Sequence, residues 1–333
     1  MARRGGGGTW ALAALVVADV AFSFQQTAVV PAIPSVQHDL HASQAWAAWL
    51  LTGYLVASSV ATPLLGKLGD RHGRRRALLG SLAGFLLGSI GAALAPNIAV
   101  LIACRSLQGL GGAVFPLTLS LARDELPPER LRLGVGLLTG AFGIGTSLGF
   151  GVSGVIVDTL SWRWLFGVGA IVVAAAIAAM LAAPAVDETT RPGRIDLPGT
   201  LLFAGGLALL LIALTEGVPR GYGSPWIVGG FLVAAALLAA WVVVDLRVDD
   251  PLIDLRVLVR PAVLLTNVTT LALGYVLFET YFLLPYLVQG TAPATASAPA
   301  PTCCPRRSAR RSATRRPARS RTGSSRSGSA APG

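Results

Sequence analysis

Nine apolar runs separated by short polar or charged stretches fill most of the first 289 residues, at roughly 10–33, 44–66, 77–95, 98–121, 133–157, 163–186, 197–215, 226–244 and 261–289. Each is long enough to cross a bilayer as a helix, because about 20 residues at about 1.5 Å rise span a hydrocarbon core of about 30 Å. The pattern predicts an all-α membrane protein. After Gln289 it stops: the remaining residues contain no Leu, Ile, Val, aromatic or acidic residue, cannot bury a core and are expected to be disordered.

Charge in the connections alternates. The amino terminus and the connections after the second, fourth, sixth and eighth runs carry fifteen Lys and Arg, whereas the opposite side carries only Arg163 and Arg220. By the positive-inside rule the amino terminus is cytoplasmic and the ninth helix ends outside. Hydrophobic residues make up 53% of the chain and charged residues 13%, far below the soluble norm of about 25% charged. The net charge of +11 does not imply nucleic acid, since nine of 27 basic residues are arginines between Arg306 and Arg326, and the other 18 nearly balance 16 acids. Cys104 and the adjacent Cys303 and Cys304 form neither a disulfide framework nor a metal-ligand spacing. No nucleophile elbow, metal cluster or phosphate loop is present, so neither an enzyme, a cofactor nor a bound metal is expected.

Three charged residues lie well inside the apolar runs: Asp19, Arg105 and Glu279. Ionisable groups at membrane depth are costly, which makes each a candidate for function. Asp19, Ser23 and Gln26 follow i, i+4, i+7 spacing on one helical face. Arg105, Gln108, Gly109, Gly112 and Pro116 share another. Counted from the membrane edges, Asp19 sits about 14 Å up and Arg105 about 10 Å down, heights within about 5 Å of each other that permit pairing. Arg105 also reads as an arginine satisfied by carbonyls, and Glu279, in the outer third, as a rim residue reaching outward. In the fifth run, glycines repeat at Gly140, Gly143, Gly145, Gly149, Gly151 and Gly154. Small residues at such spacing pack membrane helices, and Gly145, Gly149 and Gly154 are expected to do so here.

Between the second and third runs the chain reads G-K-L-G-D-R-H-G-R-R-R-A-L, from Gly66 to Leu78. Gly66, Gly69 and Gly73 suit a tight cytoplasmic turn, and Arg71, Arg74, Arg75 and Arg76 hold it inside. With Gly66, Leu68, Asp70, Arg71, Gly73, Arg74 and Arg75 in register, the stretch resembles the signature G-x-L-x-D-R-x-G-R-R/K-R/K of the major facilitator superfamily. Arg105 to Gly109 is similar to the superfamily's R-x-x-Q-G pattern. The first run resembles the D-x-T-I-V-N-V-A-L-P signature of the fourteen-helix drug:proton antiporters at Thr27, Val29, Ala32 and Pro34, with Gln25 at the Asp position and Val30 at the Asn position. Trp162-Arg163-Trp164 resembles the opening of helix 6 in that group, and Gly149 and Gly154 fit its helix-5 motif, with Phe150 and Ser153 replacing a proline and a glycine.

The resemblance implies a major-facilitator-type bundle: an N-terminal six-helix half (1–186), two linker helices (187–260), the first helix of the C-terminal half (261–290) and the basic tail (291–333). It implies a secondary transporter exporting small amphipathic compounds or drugs in exchange for protons across the cytoplasmic membrane, with the bilayer as its surroundings and a monomer as its assembly. Alternatives are uptake or exchange of a polar metabolite, or an inactive truncated fragment. Asp19, Gln26, Arg105, Gln108 and Glu279 are the expected proton-coupling or cavity residues, and Gly66, Asp70, Arg71, Gly73, Arg74 and Arg75 the gating motif. Because arginine-rich sequence stands where a tenth helix would follow, on the side otherwise poor in positive charge, the tail is expected to be read out of frame and the chain to be inactive by itself.

Overall fold

A computed structural model of the chain describes residues 4–183, 196–248 and 253–291. The expected tail from 292 onward, and Arg191 and Arg194, lie outside these residues. Two compact units divide the chain, Met1–Leu265 and Thr266–Gly333. Among the described residues every regular element is helical: α1 (Arg4–Ala28), α2 (Ile33–Asp39), α3 (Gln44–His72), α4 (Arg74–Ala93), α5 (Ile98–Gln108), a 3-10 turn (Gly109–Ala113), α6 (Val114–Glu125), α7 (Pro128–Thr159), α8 (Trp162–Ala182), α9 (Leu197–Arg220), α10 (Pro225–Asp245), α11 (Leu255–Leu258) and α12 (Pro261–Thr291). Eight helices of the described residues, with α5, the 3-10 turn and α6 counted as one, are long and apolar enough to cross a membrane, and α12 covers the ninth apolar run.

Local chemistry sets the helix starts. Side-chain oxygens of Ser43, Asn97 and Asp196 accept hydrogen bonds from the first-turn amides of Trp46, Val100 and Gly199, at 3.3, 2.9 and 2.9 Å. Pro128 and Pro225 occupy the first turns of α7 and α10, where a missing N–H costs nothing.

Two expectations need correction here. The stretch from Gly66 to Arg76 is not an open turn: α3 continues through Gly66 and Gly69 to His72, and Gly73 alone links it to α4. Gly73 takes φ 104° and ψ 130°, a backbone region that favours glycine, so one residue suffices for the reversal. Nor is the fourth span one continuous α-helix, because Gly109–Ala113 winds as a 3-10 turn. Its glycines have little helix propensity and lie against neighbouring helices, Gly109 on Tyr54, Ala57 and Ser58 of α3 and Gly111 on Phe85 of α4.

Within the first unit α1 packs against α6, α7 and α8, while α4 lies beside α3, α5, α6 and α8. Two apolar clusters fill the bundle. One holds Leu15, Phe22, Leu78, Phe85, Leu121 and Leu138, and the other Phe24, Leu50, Leu101, Trp162 and Phe166. The α9–α10 hairpin packs on α3, where Trp49 Nε1 donates to Glu216 Oε1 (2.9 Å) and the hydroxyls of Thr52 and Thr215 meet at 3.1 Å. At the start of α8, Trp162 Nε1 donates to Asp39 Oδ2 at the end of α2 (3.0 Å) and Arg163 donates to the Ala95 carbonyl just after α4 (3.0 Å).

Candidate functional site

The site is built along α1. Asp19 is fully buried, and its carboxylate meets one side chain, the Thr118 hydroxyl of α6, at 2.9 Å from Oδ1 and 3.1 Å from Oδ2. Ser23, also fully buried, donates to the Asp19 backbone carbonyl (2.7 Å) and leaves the carboxylate alone. Gln26, expected on the same face, is half-buried.

Six residues beyond Asp19 on α1 lies Gln25, the end of a second polar group. Arg105 Nη1 donates to Gln108 Oε1 (2.8 Å), and Gln108 Nε2 donates to Ser89 Oγ (2.8 Å). Ser89 Oγ in turn lies 3.0 Å from Gln25 Oε1 and 2.7 Å from the Phe85 carbonyl. All four side chains are fully buried, so the chain stitches α5, α4 and α1 together where the two apolar clusters meet. The Arg105 guanidinium lies over the Tyr54 ring, 4.5 Å from its centroid, and its Nε reaches the Leu50 carbonyl at 3.4 Å. Arg105 Nη2 and Gln25 Nε2 are buried without a hydrogen-bond partner among the described residues.

The expected pairing of Asp19 with Arg105 is therefore not formed. Asp19 goes with Thr118, thirteen positions from Arg105, which at 1.5–2.0 Å per residue sets the two about 20 Å apart along the helix axis.

Where α3 meets α4 the arginines of the motif divide. Arg74 bridges two acids, Asp70 one turn back (3.0 Å) and Asp124 of α6 (2.6 Å). Arg75 donates to the carbonyls of Met180 and Ala183 at the end of α8, at 2.5 and 2.6 Å. Arg71 is exposed. Gly69 lets Leu117 and Ala77 come within 3.1 and 3.3 Å of where a Cβ would sit, whereas the space beside Gly66 is open to 4 Å.

The glycine stripe holds for two of its three expected members. A Cβ at Gly145 would strike Ser23 and the Val20 backbone, and one at Gly149 would strike Thr27 and the Phe24 carbonyl, so α7 approaches α1 at both. Thr27 Oγ1 also reaches across to the Thr146 carbonyl at 3.2 Å. A Cβ at Gly154 would meet nothing within 4 Å among the described residues. Five residues after Gly149 it points about 140° away from the packed face. Glu279, in the second unit, is exposed and accepts from the Tyr275 hydroxyl at 2.7 Å.

Sequence reasoning missed Thr118, Ser89, Tyr54 and the acid Asp124. Gln25 was marked only as the residue standing at the antiporters' Asp position. Glu216 was missed because the seventh apolar run was drawn to 215, one residue short of it.

Comparison with known proteins follows this geometry. A profile of the Major Facilitator Superfamily matches residues 15–304. The lincomycin resistance protein of Streptomyces lincolnensis is 34% identical over 273 residues, covering 81% of this chain and 56% of that protein. The tetracenomycin C resistance and export protein of Streptomyces glaucescens is 32% identical over 82% of this chain and 52% of its own length. The multidrug resistance protein B homolog of Mycobacterium tuberculosis is 34% identical over 82% of this chain and 51% of its own. The chain thus spans about half the length of the curated relatives it matches. Among solved structures, the POT family transporter PepTSo superposes with a TM-score of 0.52 at 15% identity, over 71% of this chain and 52% of that one. The human organic anion transporter MFSD10 gives 0.51 at 17%, over 66% and 57%. At these identities the likeness is one of fold.

Proposed function

The chain belongs to the Major Facilitator Superfamily, and from that premise we propose that it serves proton-coupled export of small amphipathic compounds across the cytoplasmic membrane. Its apolar helices and its family make it a multi-pass membrane protein, a transporter type rather than an enzyme type. The observation that carries the reading is Asp19: a carboxylate fully buried in an apolar bundle and met by one neutral hydroxyl. Such a group is stabilised by no counter-ion, and taking up a proton removes its charge at little structural cost. The resistance and export names of the relatives support drugs as substrates.

In this reading residues 1–186 form the first half, 187–260 the linker helices and 261–290 the first helix of the second half, and transport proceeds by rocking of halves about a midplane site. The Asp70–Arg74–Asp124 cluster serves the cytoplasmic gate. The amino terminus is cytoplasmic and the protein is a monomer that exchanges protons for its substrate.

Proteoliposomes containing the chain provide the test. A proton gradient is expected to drive flux of a fluorescent amphipathic dye, and Asp19→Asn to abolish that flux. Equal dye flux with and without the gradient overturns the coupling. No flux under any condition overturns transport by this chain and returns the alternative of an inactive fragment.

A further inference from the structure

The Thr118 hydroxyl has one proton and three acceptors in range: Asp19 Oδ1 at 2.9 Å, Asp19 Oδ2 at 3.1 Å and the Phe115 carbonyl of its own helix at 2.8 Å. One O–H serves one of them at a time, while the oxygen itself can accept. Two arrangements satisfy every group. With Asp19 ionised, Thr118 donates to the carboxylate. With Asp19 protonated, the carboxyl O–H donates to Thr118 Oγ1 and the Thr118 proton turns to the Phe115 carbonyl.

We infer that Thr118 is a positioning residue that holds Asp19 in both of its protonation states by turning one hydroxyl between α1 and α6. The inference rests on the proposed reading of Asp19 as the proton-carrying group. It explains why this particular side chain faces the acid. A buried carboxylate needs a donor, a buried carboxylic acid needs an acceptor, and only a group that is both avoids an unsatisfied partner in one state. A lysine or arginine there would favour the ionised form alone. The tie between α1 and α6 therefore persists as the proton comes and goes, and no side-chain rearrangement larger than a hydroxyl rotation is required.

Thr118 performs this alone. The helices packed against α1 carry their charges towards their ends: Arg123, Asp124 and Glu125 on α6, Glu129, Arg130, Arg132 and Asp158 on α7, and Arg163 on α8. Among the described residues no basic side chain, Arg105 of α5 included, comes within ion-pair distance of Asp19. The apolar cluster that holds Ala18 and Phe22 of α1 also holds Leu138 on α7 and Val173 and Ala176 on α8.

Infrared titration of the 333-residue chain in lipid tests this without requiring transport. The band of the protonated Asp19 carboxyl is assigned by its loss in Asp19→Asn. Thr118→Val, of nearly the same shape, is expected to move the midpoint of that band up by about one pH unit, a tenfold change in proton affinity, because the ionised form loses the stronger bond. The band should also move to higher frequency as the acid loses its acceptor. Thr118→Ser should restore both properties. A Thr118→Val midpoint and frequency equal to those of the wild type overturn the inference while leaving Asp19 as an exchanging acid, and so does a Thr118→Ser variant that behaves like Thr118→Val. If the wild type shows no titrating band that Asp19→Asn removes, the proton-carrier reading falls and the inference with it. Should Thr118→Val not fold, Thr118→Ala removes the same hydroxyl and is read against Thr118→Ser.

Discussion

Replacing Gln108 by methionine isolates what the buried polar chain is worth. Methionine is unbranched and keeps the course of Gln108 Cγ, which runs 2.7 Å from where a Cβ on Gly88 would lie, so packing is little disturbed. Two bonds disappear: the 2.8 Å bond from Arg105 Nη1 and the 2.8 Å bond to Ser89 Oγ. The first leaves a buried cation short of its nearest acceptor when its Nη2 already lacks one, which costs towards the upper end of about 1–3 kcal/mol. An interhelical side-chain bond of the second kind is worth about 0.6 kcal/mol in a membrane bundle. The sum is about 3 kcal/mol, and at about 2 °C per kcal/mol for a unit of this size the apparent melting point should fall by about 6 °C. Thermal unfolding in detergent, at one scan rate for all variants, is the assay. The decisive comparison is the double variant Arg105→Met with Gln108→Met. It removes the charge along with its partner, and should melt several degrees above Gln108→Met alone. A double variant that loses the sum of both single effects would refute the claim that the chain exists to satisfy Arg105.

Asp70→Asn should change unfolding by less than about 1 kcal/mol, since the Arg74 bridge is partly exposed and keeps Asp124, yet slow dye flux with substrate affinity nearly intact. A large loss of affinity with unchanged turnover sinks the gating role. Gly149→Val forces α7 off Thr27 and Phe24 and should cost about 1–3 kcal/mol, whereas Gly154→Ala, in open space within α7, should leave stability unchanged or raise it by about 0.5–1 kcal/mol through helix propensity. The two variants behaving alike would contradict the packing. Thr52→Cys with Thr215→Cys should crosslink under mild oxidation, because the native hydroxyls lie 3.1 Å apart, and persistent free thiols would show that α9 does not rest on α3 as described.

Eight spans among the described residues, and their order, were legible because a run of about twenty apolar residues has one structural use in a bilayer. The relation between Asp19 and its partner was not, and the reason lies in Gly109–Ala113. Counted at 100° per residue, Thr118 falls about 220° from Arg105 and looks away from the face that carries it. Five residues wound at 120° instead add about 100° and bring Thr118 to within about 40° of that face. A count along the sequence that assumes one continuous helix therefore loses Thr118. Gly145 and Gly149, four apart within one unbroken helix, keep to one face that meets α1, and Gly154, five further on, turns away from it. The turn at Gly73 was found but drawn too wide, since three glycines seven residues apart at their extremes do not reveal which one leaves the helix.

Gln25 is one of the positions where the chain departs from the antiporter signature, and its surroundings show what that departure does. Its Oε1 lies 3.0 Å from Ser89 Oγ, its Nε2 is buried with no acceptor among the described residues, and the amide as a whole lies against Gly169 of α8. The amide nitrogen therefore contributes no bond, and the side chain acts as an acceptor that carries no charge at the far end of a chain that begins with a buried cation. Gln25→Glu keeps the oxygen that Ser89 uses, is close in shape, and replaces the orphaned N–H₂ by a second oxygen. If the nitrogen is idle, this variant should melt within about 1 kcal/mol of the wild type, because a protonated carboxyl exchanges the idle N–H₂ for one O–H. It should also add a second buried carboxyl to the infrared titration, one that Asp19→Asn leaves in place. A Gln25→Glu variant that destabilises as much as Gln108→Met would mean that the amide N–H₂ has a partner in the membrane, and that Gln25 belongs to the polar chain through both of its ends.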